Sequence, residues 1–547
     1  MAAQMSDSSM SLAQLLGAET LPGFMAPLKV SGLQMDSRKI RPGDLFIAVP
    51  GVGGGSAASS NQAVRSDGRA YIDQAVAAGA VAVIAEQEGW QEFASREYAV
   101  PTWRISGLAG KVSALAGRFH GEPSHHMKVV GITGTNGKTT CSQLLAQLFS
   151  YLGESTGVIG TLGYGVLEAA TQDASDRSTP RSVSGLSPAS LTAMGLTTPD
   201  AVSSQQILAD MYSRGVQRVA MEVSSHSLDQ GRVSGIHMDG AVFTNLSRDH
   251  LDYHQTMAEY LAAKNKLFQF PGLQYAVINH DDPAGRTLAD GLAASVECYS
   301  YSLVDHAASL HVTDVEWSAV GVVATIVTPW GSARLSSGLI GEFNLSNLLA
   351  VIGAGCASGF ALAEVVAAAG LLSAVAGRME VISQVCPRVV VDYAHTPDGL
   401  AKALQALRGF AGKELAGKLW CVFGCGGDRD KGKRPEMAAV AARIADEVIV
   451  TTDNPRSEAP AAIIDDILAG VVGVHDPVAV SISLRRIDDR AEAIRFAIVN
   501  AASHDTVLIA GKGHEDYQLI KGERLPFSDS AQARLALRGR GEGNDGA

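Results

Sequence analysis

The residues best suited to chemistry in this sequence lie in the segment 127–141, which reads MKVVGITGTNGKTTC. An apolar run predicts a buried strand, a glycine-rich turn follows it, and leucines at helical spacing come next. Backbone N–H groups around Gly134–Gly137, together with the positive end of the helix dipole, are suited to bind phosphate oxygens. Lys138 supplies a cation for the β- and γ-phosphates, and the Thr139 hydroxyl is a candidate Mg²⁺ ligand. The predicted phosphate loop consists of Gly134, Thr135, Asn136, Gly137, Lys138, Thr139 and Thr140.

This loop is shorter than the eight-residue Walker pattern, because Ile132 stands where the first glycine of that pattern belongs. The alternative interpretation is an ordinary glycine turn before a helix. The order of apolar strand, glycine turn, Lys-Thr-Thr and helix favours the nucleotide interpretation.

Composition limits the classes of protein to be considered. The chain has 547 residues, too many for one hydrophobic core, and 46% of them are hydrophobic while 18% are charged. A net charge of −12 argues against a nucleic-acid-binding surface. The six cysteines form neither a zinc pattern nor a disulfide framework, so Cys421 and Cys425 are predicted to be reduced structural thiols. The sequence shows no signal-peptide pattern and no membrane-spanning run, which favours a cytoplasmic enzyme.

The fold class predicted from the alternation of strands and helices is α/β, in three domains. Residues 1–122 predict a small α/β domain, residues 123–375 a central domain with a mostly parallel sheet like that of P-loop ATPases, and residues 376–547 a Rossmann-like domain. The third domain lacks the G-x-G-x-x-G fingerprint, so NAD binding is not predicted. Two segments predict surface insertions, at 51–60 and 173–193. The central strands are predicted at 127–132, 218–223, 240–245 and 274–279, and the C-terminal strands at 389–391, 419–423, 448–451 and 507–510.

Ligands of parallel sheets bind at the carboxyl ends of the strands, so the polar residues after each strand are the candidate site. Glu222 and His250 follow neighbouring central strands and are predicted to hold Mg²⁺ beside the phosphate loop. A surface acid and a hydrogen-bonded histidine are the alternative. Lys264 lies on the helix after the Asp-His loop, and by itself it reads as a solvated lysine.

In the third domain, charged residues cluster in the loops that follow the strands. Arg429 and Arg456 offer two guanidinium groups, each able to hold a carboxylate with parallel hydrogen bonds, and Glu515 can accept from an ammonium. These groups would suit an amino acid that carries more than one carboxylate. A solvated, charged loop is the alternative for the run of charges from Asp428 to Arg434.

Taken together, these motifs resemble the Mur ligases of peptidoglycan precursor synthesis. The resemblance extends from Met35 to Asp529. It is carried by the segments Gly134–Thr140, Glu222–His226, Asn245–His254, Asn344–Asn347, Gly377–Glu380, Asp392–Asp398, Gly426–Pro435, Asp453–Arg456 and Gly511–Glu515. The two insertions depart from the usual pattern of the family and leave the contacts around Asn61–Ala63 open.

The resemblance implies a role for each matching residue. Lys138, His250 and Lys264 would be catalytic, with Lys264 carbamylated, and Thr139, Glu222, His250 and Lys264 would hold Mg²⁺. Besides the phosphate loop, the nucleotide contacts would be Asn347, Arg378 and Asp392. Contacts to the UDP-sugar substrate would be Ser37, Thr197, Thr198, Ser224, Gln230 and Arg232. The amino-acid pocket would be Arg429, Asp453, Asn454, Pro455, Arg456, Gly511 and Glu515.

The implied activity is ATP- and Mg²⁺-dependent addition of meso-2,6-diaminopimelate to UDP-N-acetylmuramoyl-L-alanyl-D-glutamate, through an acyl phosphate. Asp453–Arg456 is the form that the family associates with diaminopimelate, because Arg456 would pair with a distal carboxylate that lysine lacks. The alternatives are a lysine-adding homologue, a folylpolyglutamate synthase and a P-loop nucleotide-binding protein without ligase activity. The expected partners are these small molecules, with no nucleic acid and no membrane, and the expected state is a monomer.

Overall fold

Three sheets with covering helices arrange the loops that the sequence predicts to be functional. The computed structural model describes residues 9–17, 21–51, 67–93, 95–170, 191–318, 321–383, 387–411, 417–471 and 483–542. Nearly all of the predicted insertions, and Asn61–Ala63, lie outside these ranges.

The central sheet has ten strands, and the strand that leads into the phosphate loop lies in its interior. In spatial order the strands are Gly331–Ser337, Gly321–Thr328, Leu310–Ser318, Glu297–Ser302, Tyr275–Asn279, Gly240–Phe243, Lys128–Thr133, Arg218–Glu222, Thr156–Gly160 and Gly163–Leu167. The strands from Leu310–Ser318 to Thr156–Gly160 pair in parallel, while both edges are antiparallel. All four predicted central strands are present, so the loops after them meet at one edge of the sheet.

Helices cover both faces of this sheet. Two of them, Lys138–Tyr151 and Glu342–Ala357, are almost wholly buried and pack on each other in the larger apolar core. A second core fills the other face. The remaining central helices are Ala201–Ser213, Ser225–Asp229, Leu251–His254, Met257–Asn265, Pro283–Asp290 and Leu362–Ala369.

The C-terminal sheet has six strands, and the four predicted ones are adjacent and parallel. Its order is Glu380–Ser383, Arg388–Asp392, Thr506–Ala510, Leu419–Phe423, Glu447–Val450 and Ser483–Arg486. Its helices are Pro397–Ala411, Lys433–Ile444, Pro460–Leu468, Arg490–Asn500 and Asp529–Glu542. A hairpin, Tyr517–Ile520 with Glu523–Pro526, follows the strand Thr506–Ala510 along the chain. Its parallel strands bring the charged loops to one edge, as a Rossmann-like fold requires.

The N-terminal sheet is small and fully parallel. Its strands are Gly32–Gln34, Asp44–Ala48, Ala82–Glu86 and Thr102–Ile105, in that order. Its helices are Leu12–Leu16, Ile72–Ala77 and Leu108–Phe119, and a short ladder joins Met10–Ser11 to Lys29–Val30. The α/β class with three sheets is thus confirmed, while the boundaries at residues 122 and 375 stay predictions. No helix within the described ranges has the length and apolar character needed to cross a bilayer.

Candidate active site

The phosphate loop requires glycine at two positions. Gly134 has φ +149°, and a Cβ there would lie 1.9 Å from the Thr244 hydroxyl oxygen. Gly137 has φ +86°, and a Cβ there would lie 2.8 Å from Asn347 Oδ1. A side chain at either position would meet both backbone strain and a steric clash.

One part of the predicted phosphate cradle is wrong. The backbone N–H groups of Thr135 and Asn136 do not point at a free space, because they donate to the carbonyl oxygen and to Oδ1 of Asn245, at 2.8 and 2.9 Å. The N–H groups that remain available to an anion lie further along, in the first turn of the helix that begins at Lys138, where they have no intrahelical acceptor.

Two lysines share one carbonyl group of this loop. Lys138 Nζ donates to the carbonyl oxygens of Gly134 and Thr135, each at 2.9 Å, and Lys264 Nζ donates to that of Gly134 at 2.8 Å. Lys264 is fully buried, and its Nζ lies 4.3 Å from the centre of the Tyr260 ring. Burial, followed by repulsion from Lys138, lowers the pKa of Lys264 well below its usual value. The expectation of a solvated lysine, drawn from the residue alone, is therefore wrong.

The fully buried carboxylate of Glu222 joins the phosphate loop to its surroundings. Its Oε2 accepts from the hydroxyl groups of Thr139 and Thr161, at 3.1 and 3.0 Å, and its Oε1 accepts from the Thr161 N–H at 2.8 Å. Thr139 also accepts from Arg378 Nη2 at 3.1 Å, which connects the phosphate loop to the third domain. Glu222 and the Thr139 hydroxyl are hard oxygen donors of the kind that Mg²⁺ prefers.

His250 follows the strand Gly240–Phe243 and has a left-handed backbone, φ +55°. The prediction that it follows a neighbour of the Glu222 strand is wrong, because the phosphate-loop strand Lys128–Thr133 lies between the two. Burial lowers its pKa to about 4, so its imidazole is neutral at physiological pH and suited to a metal. Among the described residues, no three His, Cys, Asp or Glu side chains are close enough together to hold an ion. Of the four predicted Mg²⁺ ligands, Thr139 and Glu222 are in direct contact. That His250 and Lys264 join them around a metal ion stays a prediction.

A cavity of about 1090 Å³ lies between the central and C-terminal domains. Arg378, at the start of the third domain, stacks 4.3 Å from the centre of the Tyr393 ring. Burial raises the pKa of Asp392, whose Oδ2 accepts from the Met379 N–H at 2.7 Å. The predicted nucleotide contacts that line this cavity are Asn136, Gly137, Thr140, Asn347, Arg378 and Asp392.

The residues predicted to bind the UDP-sugar form a network next to Glu222. Arg232 Nη1 donates to the Thr198 carbonyl at 3.0 Å, and Thr198 Oγ1 donates to the Glu222 carbonyl at 2.8 Å and accepts from the Ser224 N–H at 3.1 Å. Arg232 Nε also donates to Gln230 Oε1, at 2.8 Å.

A second chain of hydrogen bonds connects the predicted UDP-sugar contact Thr197 to the side-chain carboxylate of Glu222. The hydroxyl oxygens of Thr197 and Thr161 lie 3.1 Å apart, and Thr161 donates its proton to the Glu222 carboxylate and so accepts from Thr197. Ser37 lies apart from this group, in the first domain, where it donates to Gln74 Oε1 at 3.1 Å.

Arg429 and Arg456 converge on one side of the third domain. A Cβ placed on Gly426 would lie 2.7 Å from Arg456 Nη1 and 3.8 Å from Arg429 Cγ, so both side chains border the same point. Burial lowers the pKa of Arg456, and the charge of Arg429 lowers it further, as expected for neighbouring cations. Arg429 is exposed, while Arg456 is half-buried and donates to the Gly427 carbonyl at 2.8 Å.

The acidic part of the pocket lies beside Arg456. Asn454 Nδ2 donates to Glu515 Oε2 at 2.7 Å, and Gly511 approaches Asp453 so closely that a Cβ would lie 2.5 Å from Asp453 Oδ2. Arg434, by contrast, is fully buried in ion pairs with Glu458 and Asp466, each at 2.8 Å, so its role is structural.

The pocket and the phosphate loop approach each other across the domain boundary. Asn136 Nδ2 donates to Asp398 Oδ2 at 3.2 Å, and Arg248 pairs with Asp430 and Glu436, each at 3.4 Å. Asp430 follows Arg429 directly, so the loop that carries one pocket guanidinium is held against the central domain.

Comparison with known proteins agrees with this arrangement. The Mur ligase middle domain matches residues 132–355, and the Mur ligase glutamate ligase domain matches residues 377–513. A UDP-N-acetylmuramoyl-L-alanyl-D-glutamate–2,6-diaminopimelate ligase from Pseudomonas aeruginosa is 48% identical over 532 residues, which cover 96% of this chain and 98% of the relative. The chain belongs to the Mur ligase family.

Further relatives are similar to this Mur ligase over nearly their whole length. The ligase of the same name from Coxiella burnetii is 44% identical and covers 96% of this chain and 99% of its own length. A solved structure of a ligase with that name, 34% identical, matches with a TM-score of 0.65 over 97% of this chain and 99% of that chain. The MurF ligase from Thermotoga maritima in complex with ADP is 17% identical, has a TM-score of 0.59 over 94% and 98% of the two chains, and shows the fold alone.

Sequence patterns missed two residues of the site in this Mur ligase. Thr161 connects Glu222 to Thr197, but an isolated threonine after a short strand carries no signal. Lys512 lies between the predicted Gly511 and Glu515, and nothing in the sequence indicates that its ammonium is fully buried.

Proposed function

We propose that this Mur ligase joins meso-2,6-diaminopimelate to the D-glutamyl γ-carboxylate of UDP-N-acetylmuramoyl-L-alanyl-D-glutamate at the expense of ATP. The observation that carries the proposal is that Arg429 and Arg456, from two loops of the third domain, border the same point, and that Arg248 joins the loop of Arg429 to the central domain. Relatives 44–48% identical over nearly the whole chain bear the name of that activity, which supports the assignment.

ATP is assigned to the cavity beside the phosphate loop. Arg378 and Asn347 line it, and Lys138 lies at the phosphate end, where release of its two backbone carbonyls would free the ammonium for the β- and γ-phosphates. The donor chemistry of Thr139, Glu222 and the neutral His250 fits Mg²⁺, with carbamylated Lys264 as a further carboxylate. When bound, Mg²⁺ would neutralise the charge of the triphosphate.

The proposed reaction has two steps. A γ-carboxylate oxygen of the D-glutamyl residue attacks the γ-phosphorus of ATP, which forms an acyl phosphate and releases ADP. The neutral amine of diaminopimelate then attacks the acyl carbon, and inorganic phosphate leaves with the original carboxylate oxygen. Lys138 would stabilise the negative charge of the transferred group. Because three ligands held by different domains must meet, positioning supplies much of the rate enhancement.

Diaminopimelate is favoured over lysine because the pocket contains two guanidinium groups. Lysine has no distal carboxylate to pair with Arg456, so this half-buried guanidinium group would keep only its hydrogen bond to the Gly427 carbonyl and lose the ion pair with the substrate. We also propose that the enzyme acts in the cytoplasm, where ATP and UDP-linked precursors are found, and that it works as a monomer.

The deciding experiment measures phosphate release with ATP, Mg²⁺ and the UDP-sugar dipeptide, with each amino acid added separately. We expect release that requires both the dipeptide and diaminopimelate. ATP hydrolysis that is indifferent to the dipeptide would instead identify a P-loop protein without ligase activity. Equal or better use of lysine would overturn the pocket assignment, and use of folyl substrates would indicate a folylpolyglutamate synthase.

A further inference from the structure

A fully buried lysine lies behind the amino-acid pocket. Lys512 follows the strand Thr506–Ala510, and its side chain has no exposed surface. Its Nζ donates to Asn454 Oδ1 at 3.1 Å and to Glu515 Oε2 at 3.0 Å, and lies 4.0 Å from Asp453 Oδ1. A buried ammonium is costly unless such partners surround it, and all three partners here are predicted pocket residues.

These contacts determine the orientation of the Asn454 amide. Its Oδ1 accepts from Lys512 and also from the Leu519 N–H at 2.9 Å, while its Nδ2 donates to Glu515 Oε2 at 2.7 Å. Exchanging the amide oxygen and nitrogen would place an NH₂ group against an ammonium and an N–H, so only one orientation is compatible with Lys512.

The same contacts determine which carboxylate oxygen remains for a ligand. Both bonds to Glu515, from Asn454 and from Lys512, end on Oε2. In the described part of the chain, no hydrogen bond is shown to Glu515 Oε1. The pocket therefore offers one open carboxylate oxygen on a residue that contacts Asn454, whose carbonyl oxygen in turn lies 3.5 Å from Arg456 Nη1.

We propose that Lys512 is a positioning residue for the amino-acid substrate, which holds Asn454 and Glu515 so that an open acceptor stands beside Arg456. An acceptor beside a guanidinium matches an ammonium and a carboxylate on one carbon atom, which is the distal end of diaminopimelate. The inference rests on the proposed function, because it assigns that end of the substrate to these residues.

Steady-state kinetics of Lys512→Met test the proposal, with the amino acid, ATP and the UDP-sugar dipeptide varied in turn. We expect KM for diaminopimelate to rise about 10- to 100-fold while KM for the other two substrates stays unchanged. Lys418→Met is the matched control: this exposed lysine, paired with Glu447, precedes the strand Leu419–Phe423 at the end away from the pocket. Its kinetics should equal those of the wild type.

A double-mutant cycle distinguishes positioning from general support of the fold. If Lys512 acts through Glu515, the two substitutions are not independent. The rise in KM for diaminopimelate in the double variant Lys512→Met, Glu515→Gln will then be smaller than the product of the rises in the two single variants. A purely structural role would lower Tm and the amount of folded enzyme without a selective change in KM.

The proposal is overturned by an unchanged KM for diaminopimelate or by an equal rise in all three KM values. If Lys512→Met does not fold, Lys512→Gln, which retains a donor for Asn454, is judged by the same criterion. Failure of both variants to fold would show that Lys512 serves the fold and would also overturn the proposal. A wild-type enzyme without diaminopimelate-dependent phosphate release would refute the proposed function instead.

Discussion

Replacing Arg456 with lysine should reduce the preference for diaminopimelate over lysine as substrate. One end of the Arg456 side chain is fixed, because Nη1 donates to the Gly427 carbonyl at 2.8 Å. Its backbone is fixed as well, by the Leu519 carbonyl at 2.9 Å and the Lys521 N–H at 2.7 Å. Among the described residues no bond is shown from Nε or Nη2, which leaves that edge for a carboxylate.

The size of the effect follows from the loss of one charged hydrogen bond. A lysine side chain at position 456 keeps the positive charge but cannot donate two parallel hydrogen bonds to a carboxylate. A hydrogen bond to a charged group contributes about 1.5–3 kcal/mol. Because Arg456 is only half-buried, we expect the lower part of this range. The value of kcat/KM for diaminopimelate should fall about 10- to 40-fold, while that for free lysine as a substrate should stay constant or rise.

The assay is a competition in which both amino acids are supplied at equal concentration and the two UDP-linked products are separated and quantified. Arg334→Lys serves as the control, because Arg334 is 47% exposed and pairs with Glu316 at the antiparallel edge of the central sheet, away from the pocket. An Arg456→Lys enzyme with undiminished preference for diaminopimelate would refute the reasoning.

Three further predictions concern the phosphate loop, Lys264 and the buried histidines. Gly134→Ala should abolish nucleotide binding and destabilise the fold by about 2 kcal/mol or more, as measured by calorimetry, whereas Gly110→Ala, with open space around its Cβ, should not. Because its pKa lies well below the usual value, Lys264 is available as a neutral amine, so ¹³CO₂ should give a carbamate resonance that Lys264→Arg lacks; its persistence in that variant would exclude Lys264. Burial lowers the pKa of both His226 and His514 to about 3, so the unfolded state binds more protons below pH 6.5. Stability should then fall by about 2 kcal/mol per histidine between pH 7 and pH 5, and denaturant midpoints that do not change with pH would contradict this.

Continuous apolar runs made most of the fold predictable. The predicted strand at 419–423 is observed at the same residues, and the other predicted strands of the two larger sheets differ by one or two residues at one or both ends. Cys421 and Cys425 are free and buried, as predicted for reduced thiols. The antiparallel edge at Gly321–Thr328 was not predicted, although alternate residues Val322, Ala324 and Ile326 are buried, which is the pattern of a half-buried strand.

Candidate site residues could be predicted where a sequence motif coincides with the end of a strand. They could not be predicted where the properties of a side chain depend on its burial in the folded protein. Glu222 was identified by its place after an apolar strand. Lys264 lies on the helix Met257–Asn265, which packs against the phosphate loop, so its side chain is buried and its Nζ reaches the Gly134 carbonyl. The proposed role of this lysine depends on that burial, which the sequence of the helix does not reveal. The occupied N–H groups of Thr135 and Asn136 depend on Asn245, more than 100 residues away in sequence, and such pairings cannot be deduced from local patterns.

Transfer of an oxygen atom tests the central claim most directly. The UDP-sugar dipeptide is labelled with ¹⁸O in its D-glutamyl γ-carboxylate and incubated with the enzyme, ATP, Mg²⁺ and diaminopimelate, and the phosphate released is analysed by mass spectrometry. The proposed acyl phosphate requires one ¹⁸O atom in each phosphate that accompanies a newly formed amide bond. Amide formation with unlabelled phosphate would contradict the account.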